Sequence, residues 1–343
     1  MSQSIWIGTA NRGFAQQAQE EIRRLFDTPV RFEWIAAGEL FKFTVEECRE
    51  QVVRTISEQE PIFLRHMRPV DAEASFGNEG LDSIAEWVQR QLKEQAPAAG
   101  RRIAVQVRKT EEGGPAVSPS ELKQALDERL EKEWQAVPVV KDADEVLSLL
   151  IAASQIYMGR SRPEENLSDW SGGAIRFRRE EGQISRAKFK LLEAEQAFGL
   201  DLSAYHAALD IGAAPGGWTS LLLERGLEVT AVDPAKLDAG LLRNPRLRYL
   251  QKNAADVVFA SGEFDLLVCD MSWSHRQMAK LVKSLVYALQ PGGTAIITVK
   301  LMHKKAFQTI REVTQDLSPE LSLQKAKQLF HNREELTLFL MRT

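Results

Sequence analysis

The chain has 343 residues, of which 44% are hydrophobic and 27% charged, with a formal net charge of −4. That profile supports two or three globular domains with ample cores. Two distant cysteines, Cys48 and Cys269, argue against a disulfide framework or a cysteine-ligated structural zinc. The opening MSQSIWIGTANRGF lacks a basic flank before an apolar stretch, and no window approaches the ~18 apolar residues of a membrane span. A cytoplasmic protein with no membrane partner is the expectation. The negative balance decides little about nucleic acid, because phosphate contacts need only a local positive face.

In chain order, SIWIGTA reads as a short strand, followed by a helix carrying Phe14, Ala18, Ile22 and Leu25 at spacings of three and four. Strands at residues 30–35, 40–44 and 62–65, with a helix at 45–57, complete a small α+β domain over residues 1–75. A second unit, residues 76–180, opens with a helix that presents Leu81, Ile84, Val88 and Leu92 on one face. Residues 102–109 then alternate as a strand, with Ile103, Val105 and Val107 on one side. Ser118 or Ser120 is placed to cap the helix of Leu122, Leu126 and Leu130. The apolar run VLSLLIAASQIYMG and the loop SRPEENLSDWSGG follow.

The third unit, residues 181–343, alternates apolar strands (HAALDIG, LEVTAVD, FDLLVCD, TAIITVK, LTLFL) with helices at residues 189–198, 277–289 and 305–317. Such alternation predicts an α/β, doubly wound, Rossmann-like sheet. Its decisive feature is ALDIGAAPGGWTSLLLERG. A strand ends at Asp210, and the turn Gly212, Ala213, Ala214, Pro215, Gly216, Gly217 then lets backbone approach a ligand before the helix starting at Trp218. The next strand ends at Asp233, placed to accept both hydroxyl hydrogens of an adenosine ribose. The order is neither GxGxxG nor a Walker loop, which favours a nucleoside ligand without phosphate, such as S-adenosylmethionine.

Four polar residues stand where elements begin or end: Lys190 in SRAKFKLLE, Asp270 after FDLLVC, Lys300 after TAIITV, and Glu335 before LTLFL. One charge at a strand end is ordinarily a solvated cap. Asp270 and Lys300 on neighbouring strands beside a nucleotide turn point instead to the carboxyl-end edge where such sheets bind ligands, and Asp270 is counted with both the cofactor and the catalytic groups.

GAAPGGW, the upstream SRAKFKL, the pair Asp270–Met271 and the strand-end lysine together resemble the FtsJ class of ribosomal RNA 2′-O-ribose methyltransferases. VKLMHKKAFQTIREV and AKQLFHNREELTLFL resemble most closely its RlmM-type branch, which acts on a cytidine ribose of large-subunit rRNA. The likeness covers roughly residues 185–342; upstream, residues 76–175 resemble more weakly that branch's THUMP-like RNA-binding domain. The resemblance implies S-adenosylmethionine as cofactor, a role in rRNA processing, and 23S rRNA before full subunit assembly as partner. It also implies a Lys-Asp-Lys-Glu tetrad at Lys190, Asp270, Lys300 and Glu335, with Glu334 the competitor for the last place. No metal is required.

In chemical terms, a ribose hydroxyl is a weak nucleophile, so a base must take its proton as the oxygen attacks the methyl group. Burial and a neighbouring cation help a lysine to be neutral, whereas a carboxylate favours its ammonium. The expected assignment is Lys300 as base, oriented by Asp270, with Lys190 and Glu335 tuning the pair.

Asn253 stands where the family has an aspartate for the adenine amino group, and its side-chain oxygen can still accept that hydrogen bond. The segment MSWSHRQ lacks the family's proline after Asp270. For RNA, Arg160, Arg162, Arg176, Arg178, Arg179, Arg186, Lys188, Lys304 and Lys305 are candidate phosphate contacts, with Trp170 or Trp273 for stacking. An ordinary charged linker reads equally well for the arginines taken alone, and Trp170 reads more readily as a packing residue than as a stacking platform. Methylation of another RNA, or a catalytically silent RNA-binding protein of the same fold, stays open.

Overall fold

A computed structural model describes residues 3–77, 80–113, 116–178, 182–302 and 304–343, and divides into two compact units, Met1–Ala174 and Ile175–Thr343. Arg179 lies outside the described residues.

The first unit contains two sheets. Strands β1 (Ser4–Thr9), β2 (Arg31–Ala36), β3 (Leu40–Val45) and β4 (His66–Pro69), with helices α1 (Ala15–Leu25) and α2 (Arg49–Gln59), form an antiparallel sheet of order β2-β3-β1-β4. Trp6, Phe41, Phe43 and Met67 are buried in it. The strand expected at residues 62–65 lies four residues later, at β4. The Glu21 carboxylate accepts the Ile62 and Phe63 amides at 2.8 Å each, so those amides do not serve a sheet ladder.

The second sheet has order β5-β9-β8-β6-β7. Its strands are β5 (Ala72–Ser75), β6 (Arg102–Gly113), β7 (Val137–Pro138), β8 (Glu145–Ala153) and β9 (Gln155–Ser161). Helices α3 (Leu81–Glu94) and α4 (Pro119–Trp134) pack Ile84, Val88, Leu122 and Leu126 into its core. The run VLSLLIAASQIYMG is the antiparallel hairpin β8–β9. Ser118 occupies the cap position of α4 but makes no side-chain cap bond; its hydroxyl meets that of Ser120 at 2.8 Å.

The second unit is built on seven strands: β10 (Ala207–Ile211), β11 (Glu228–Val232), β12 (Leu247–Leu250), β13 (Phe264–Cys269), β14 (Leu289–Lys300), β15 (Leu321–Lys327) and β16 (Glu335–Arg342). Their order is β12-β11-β10-β13-β14-β16-β15. The first five pair in parallel, and β16 runs antiparallel between β14 and β15. Helices α5 (Lys188–Phe198), α6 (Gly217–Glu224), α7 (His275–Leu285) and α8 (Ala306–Leu317) complete the unit.

Two features of this topology position a site. From β10 the chain moves outward to β11 and β12, then returns to the other flank of β10 as β13. That reversal opens a crevice at the carboxyl ends of β10 and β13, where doubly wound sheets bind ligands. The antiparallel register of β14 and β16 sets Lys300 opposite Glu335. Among the described residues no helix is long and apolar enough to cross a membrane.

Candidate active site

The turn after β10 is shaped by what it must approach. Gly212 has φ +78°, and a Cβ there would meet Met271 Cγ at 2.4 Å, so glycine lets the turn lie against the segment that carries Asp270. A Cβ on Gly217 would meet Ser185 Cβ at 3.0 Å and the Lys188 amide at 3.1 Å, so that glycine lets α6 seat against the start of α5. Trp218 Nε1 donates to the Ala187 carbonyl at 2.8 Å across the same junction. The glycine-rich motif thereby fixes the helix that bears Lys190.

A cavity of about 250 Å³ opens beside this turn, lined among others by Gly212, Ala214, Asp233, Asn253, Asp270 and Trp273. Asp233 is held by two backbone amides, Ala214 N–H on Oδ2 at 3.0 Å and Ala235 N–H on Oδ1 at 2.7 Å. Each oxygen keeps acceptor capacity for a vicinal diol. The Asn253 amide nitrogen donates to Asp256 at 3.3 Å, which leaves its carbonyl oxygen to accept from an amino group. These residues fit an adenosine moiety. Ala213, Gly216, Gly217 and Trp218 are buried in the packing behind the turn, and Pro215 is exposed at its tip.

Asp210 does not line that cavity. It is 1% exposed and accepts the Thr219 hydroxyl at 2.6 Å, tying β10 to α6. Burial raises its carboxyl to about 7, and the charges of Asp270 and Asp233 act in the same direction. The unfolded carboxyl ionises near 3.8, so the stability this group contributes is fully present below that pH and lost as pH rises through about 7. Asp210→Asn keeps an acceptor for Thr219. At pH 8 it should be more stable than the parent to urea by on the order of 2 kcal/mol, with no gain at pH 4.

The second group of polar residues meets at the same edge. Lys190 Nζ donates to Asp270 Oδ1 at 3.0 Å, to Asp270 Oδ2 at 3.3 Å and to Glu335 Oε2 at 2.6 Å. Thr298 Oγ1 donates to Asp270 Oδ1 at 2.7 Å. Burial alone would lower the Lys190 pKa, but the two carboxylates outweigh it and hold the ammonium above its usual range. The expectation that Asp270 orients Lys300 is corrected: its carboxylate orients Lys190. The reason is that α5 brings the Lys190 amine over the end of β13, whereas the Lys300 side chain leaves β14 into solvent. Among the described residues the Lys300 amine has no hydrogen-bond or ion-pair partner. The carboxylate in the cluster is that of Glu335; Glu334 contributes its carbonyl to the Leu301 amide at 2.8 Å.

Arg186, Lys190, Lys300, Phe330, His331 and Glu335 line a second cavity, about 810 Å³ in volume. Ser272 lines both cavities, so the two adjoin at the segment following β13. Neither Thr298 nor Ser272 is among the residues singled out from sequence. A threonine inside an apolar strand was the one available sign of the former.

The candidate RNA contacts separate on inspection. Lys188 is a correction: it is buried, and its amine pairs with Glu224 at 2.7 and 3.0 Å. Arg160 is also engaged inside its own unit, with Glu145 and the Gln95 carbonyl. Arg162 is exposed but bridged to Glu165 at 3.3 Å. Arg176, Arg178, Arg186, Lys304 and Lys305 are exposed. Trp170 is half-buried, while Trp273 is 44% exposed at the cofactor cavity. No group of three or more His, Cys, Asp or Glu able to hold a metal occurs among the described residues.

The sheet order, the glycine turn and the acidic residue that follows β11 define an S-adenosylmethionine-dependent methyltransferase domain, and its cofactor is S-adenosylmethionine. Residues 183–327 match the family model described as FtsJ-like methyltransferase. The chain is similar to curated proteins named ribosomal RNA large subunit methyltransferase M. It is 35% identical over 196 residues to that of Psychromonas ingrahamii, covering 53% of each chain. It is 32% identical over 204 residues to that of Halorhodospira halophila, covering 59% of each. With that of Pseudoalteromonas atlantica it shares 31% identity over 194 residues, 53% of this chain and 54% of the relative. The chain thus spans between about half and three fifths of the length of these relatives.

Proposed function

We propose that this protein methylates a ribose 2′-hydroxyl of ribosomal RNA, at a cytidine of the large subunit. One observation carries the reading: a lysine amine held between two carboxylates, and a second lysine amine without either, line one cleft that adjoins the cofactor cavity at Ser272. The names of the relatives supply the substrate class.

S-adenosylmethionine supplies an electrophilic methyl group, so the protein's task is to place a hydroxyl and accept its proton. Lys190 is committed as an ammonium and cannot be the base. Lys300, whose amine has no hydrogen-bond or ion-pair partner among the described residues, is assigned as the group that accepts the hydroxyl proton. Lys190, fixed by Asp270 and Glu335, offers a positive hydrogen-bond donor that positions the ribose oxygen. Asp233 and Asn253 hold the ribose and adenine of the cofactor.

Residues 76–180 serve in this reading as a THUMP-like RNA-binding domain. The exposed Arg176, Arg178, Arg186, Lys304 and Lys305 neutralise phosphates around the cleft, and Arg179 belongs to the same run. A free ribose edge is needed, so naked large-subunit rRNA should be a better substrate than the assembled subunit. Measuring methyl incorporation into both tests this; equal or preferred labelling of the assembled subunit contradicts it.

A further inference from the structure

The lining of the catalytic cleft includes an aromatic cluster. Phe330 and His331 are half-buried at the cavity that also holds Lys190, Lys300 and Glu335. The imidazole lies against Phe177, with centroids 5.4 Å apart and 30° between planes, and against Phe189 at 5.4 Å. Phe330 meets it edge-on at 5.1 Å.

This wall is held with unusual polar investment. Glu193 on α5 is 3% exposed, yet it spends its carboxylate on two consecutive loop residues. Oε1 accepts the Phe330 amide at 2.6 Å; Oε2 accepts the His331 amide at 2.9 Å and meets the ring Nδ1 at 2.7 Å. A carboxylate facing Nδ1 fixes the hydrogen on that nitrogen and leaves Nε2 as the polar edge of the ring. Among the described residues Nε2 has no hydrogen-bond partner. Glu193 and Lys190 share one helix, so a single element sets both the wall and the ammonium.

We propose that Phe330 and His331 form a nucleobase subsite. Phe330 stacks on the base of the nucleotide whose ribose is methylated, and His331 Nε2 hydrogen-bonds the edge of that base. The proposal rests on the reading of the cleft as a ribose acceptor site. Its chemistry follows from covalent structure: the base and the 2′-hydroxyl sit on adjacent ribose carbons, so a hydroxyl beside Lys300 brings its base to the wall of the same cavity. An aromatic face flanked by cations, here Arg186 and Arg333, is the usual platform for an unpaired base. A wall that were only core packing would need no buried carboxylate on the imidazole Nδ1, and would not leave Nε2 without a hydrogen-bond partner among the described residues. Glu193 acts through these two residues and is a positioning residue.

The test uses the full chain, S-adenosylmethionine and protein-free large-subunit rRNA. Phe330→Leu keeps apolar bulk but removes the stacking face, Phe330→Trp restores a face, and His331→Phe keeps the packing but removes Nε2. Binding of S-adenosylmethionine by calorimetry serves as the check that each variant is folded. The expected result is a KM for RNA raised on the order of tenfold in Phe330→Leu and returned to within about threefold by Phe330→Trp. His331→Phe should lower kcat/KM for RNA by a similar factor. Parental KM and kcat in both Phe330→Leu and His331→Phe overturn the subsite while leaving the ribose reading intact. No ribose methylation by the parent protein overturns that reading, and the subsite with it.

Discussion

Lys300→Met is expected to lower kcat for methyl transfer by roughly 10³-fold, within the range for loss of a general base, while the affinity for S-adenosylmethionine stays at the parental value. Methionine keeps the length and most of the volume of lysine, so the cleft changes little in shape. The Lys300 side chain is exposed and has no hydrogen-bond or ion-pair partner among the described residues, so the melting temperature should also hold. Its location at the end of β14, opposite Glu335 and in the cavity that Phe330 and His331 also line, makes it the amine assigned to meet an incoming hydroxyl. Stopped-turnover assays at saturating RNA isolate kcat. Retention of more than a tenth of the parental rate is incompatible with proton transfer to this residue.

Lys190→Met should be damaging in a different way. It removes the cation between Asp270 and Glu335 and leaves two largely buried carboxylates facing one another. Breaking such a pair costs about 3–5 kcal/mol in a fully buried site; with side chains 14–19% exposed, about 1–3 kcal/mol is expected here. Activity should fall by at least two orders of magnitude, because the positioning donor is lost. The two effects can be separated. In the triple variant Lys190→Met, Asp270→Asn, Glu335→Gln the uncompensated charges are gone, so urea denaturation should return most of the lost stability. Methyl transfer should not return. A triple variant that regains activity would make the cluster a structural device only.

Glu193→Ala provides a third, smaller contrast. It leaves two backbone amides and an imidazole without their acceptor, and should destabilise the domain by about 2 kcal/mol. Equilibrium denaturation of the variant measures this directly.

The sheet was largely legible before the structure. HAALDIG, LEVTAVD, FDLLVCD, TAIITVK and LTLFL are apolar because both of their faces are covered, and each is found as a strand. β12 and β15 escaped because they are edge strands: LRYL and LSLQKAK are only partly buried and carry charge, as edges do. The four residues at the element ends were recognisable from position and chemistry, but their partners were not. KFK offers two lysines that look alike in sequence. Two helical steps turn about 200°, so Lys188 and Lys190 leave opposite faces of α5, one into the α6 packing and the other over β13. Which of Lys190 and Lys300 meets Asp270 depends on how α5 lies across the sheet, and that is set by Gly217 and Trp218 packing against its first turn. The role of Glu193 was invisible for the same reason, since its partners lie on a loop far along the chain.

The most direct measurement is the position of the transferred methyl group. Naked large-subunit rRNA is incubated with the protein and S-adenosylmethionine labelled in its methyl carbon, then hydrolysed completely in alkali. A methylated 2′-oxygen blocks cleavage of the adjacent phosphodiester, so the account predicts label in alkali-resistant dinucleotides whose 5′ member is cytidine. Label recovered in mononucleotides would place the methyl group on a base and contradict it.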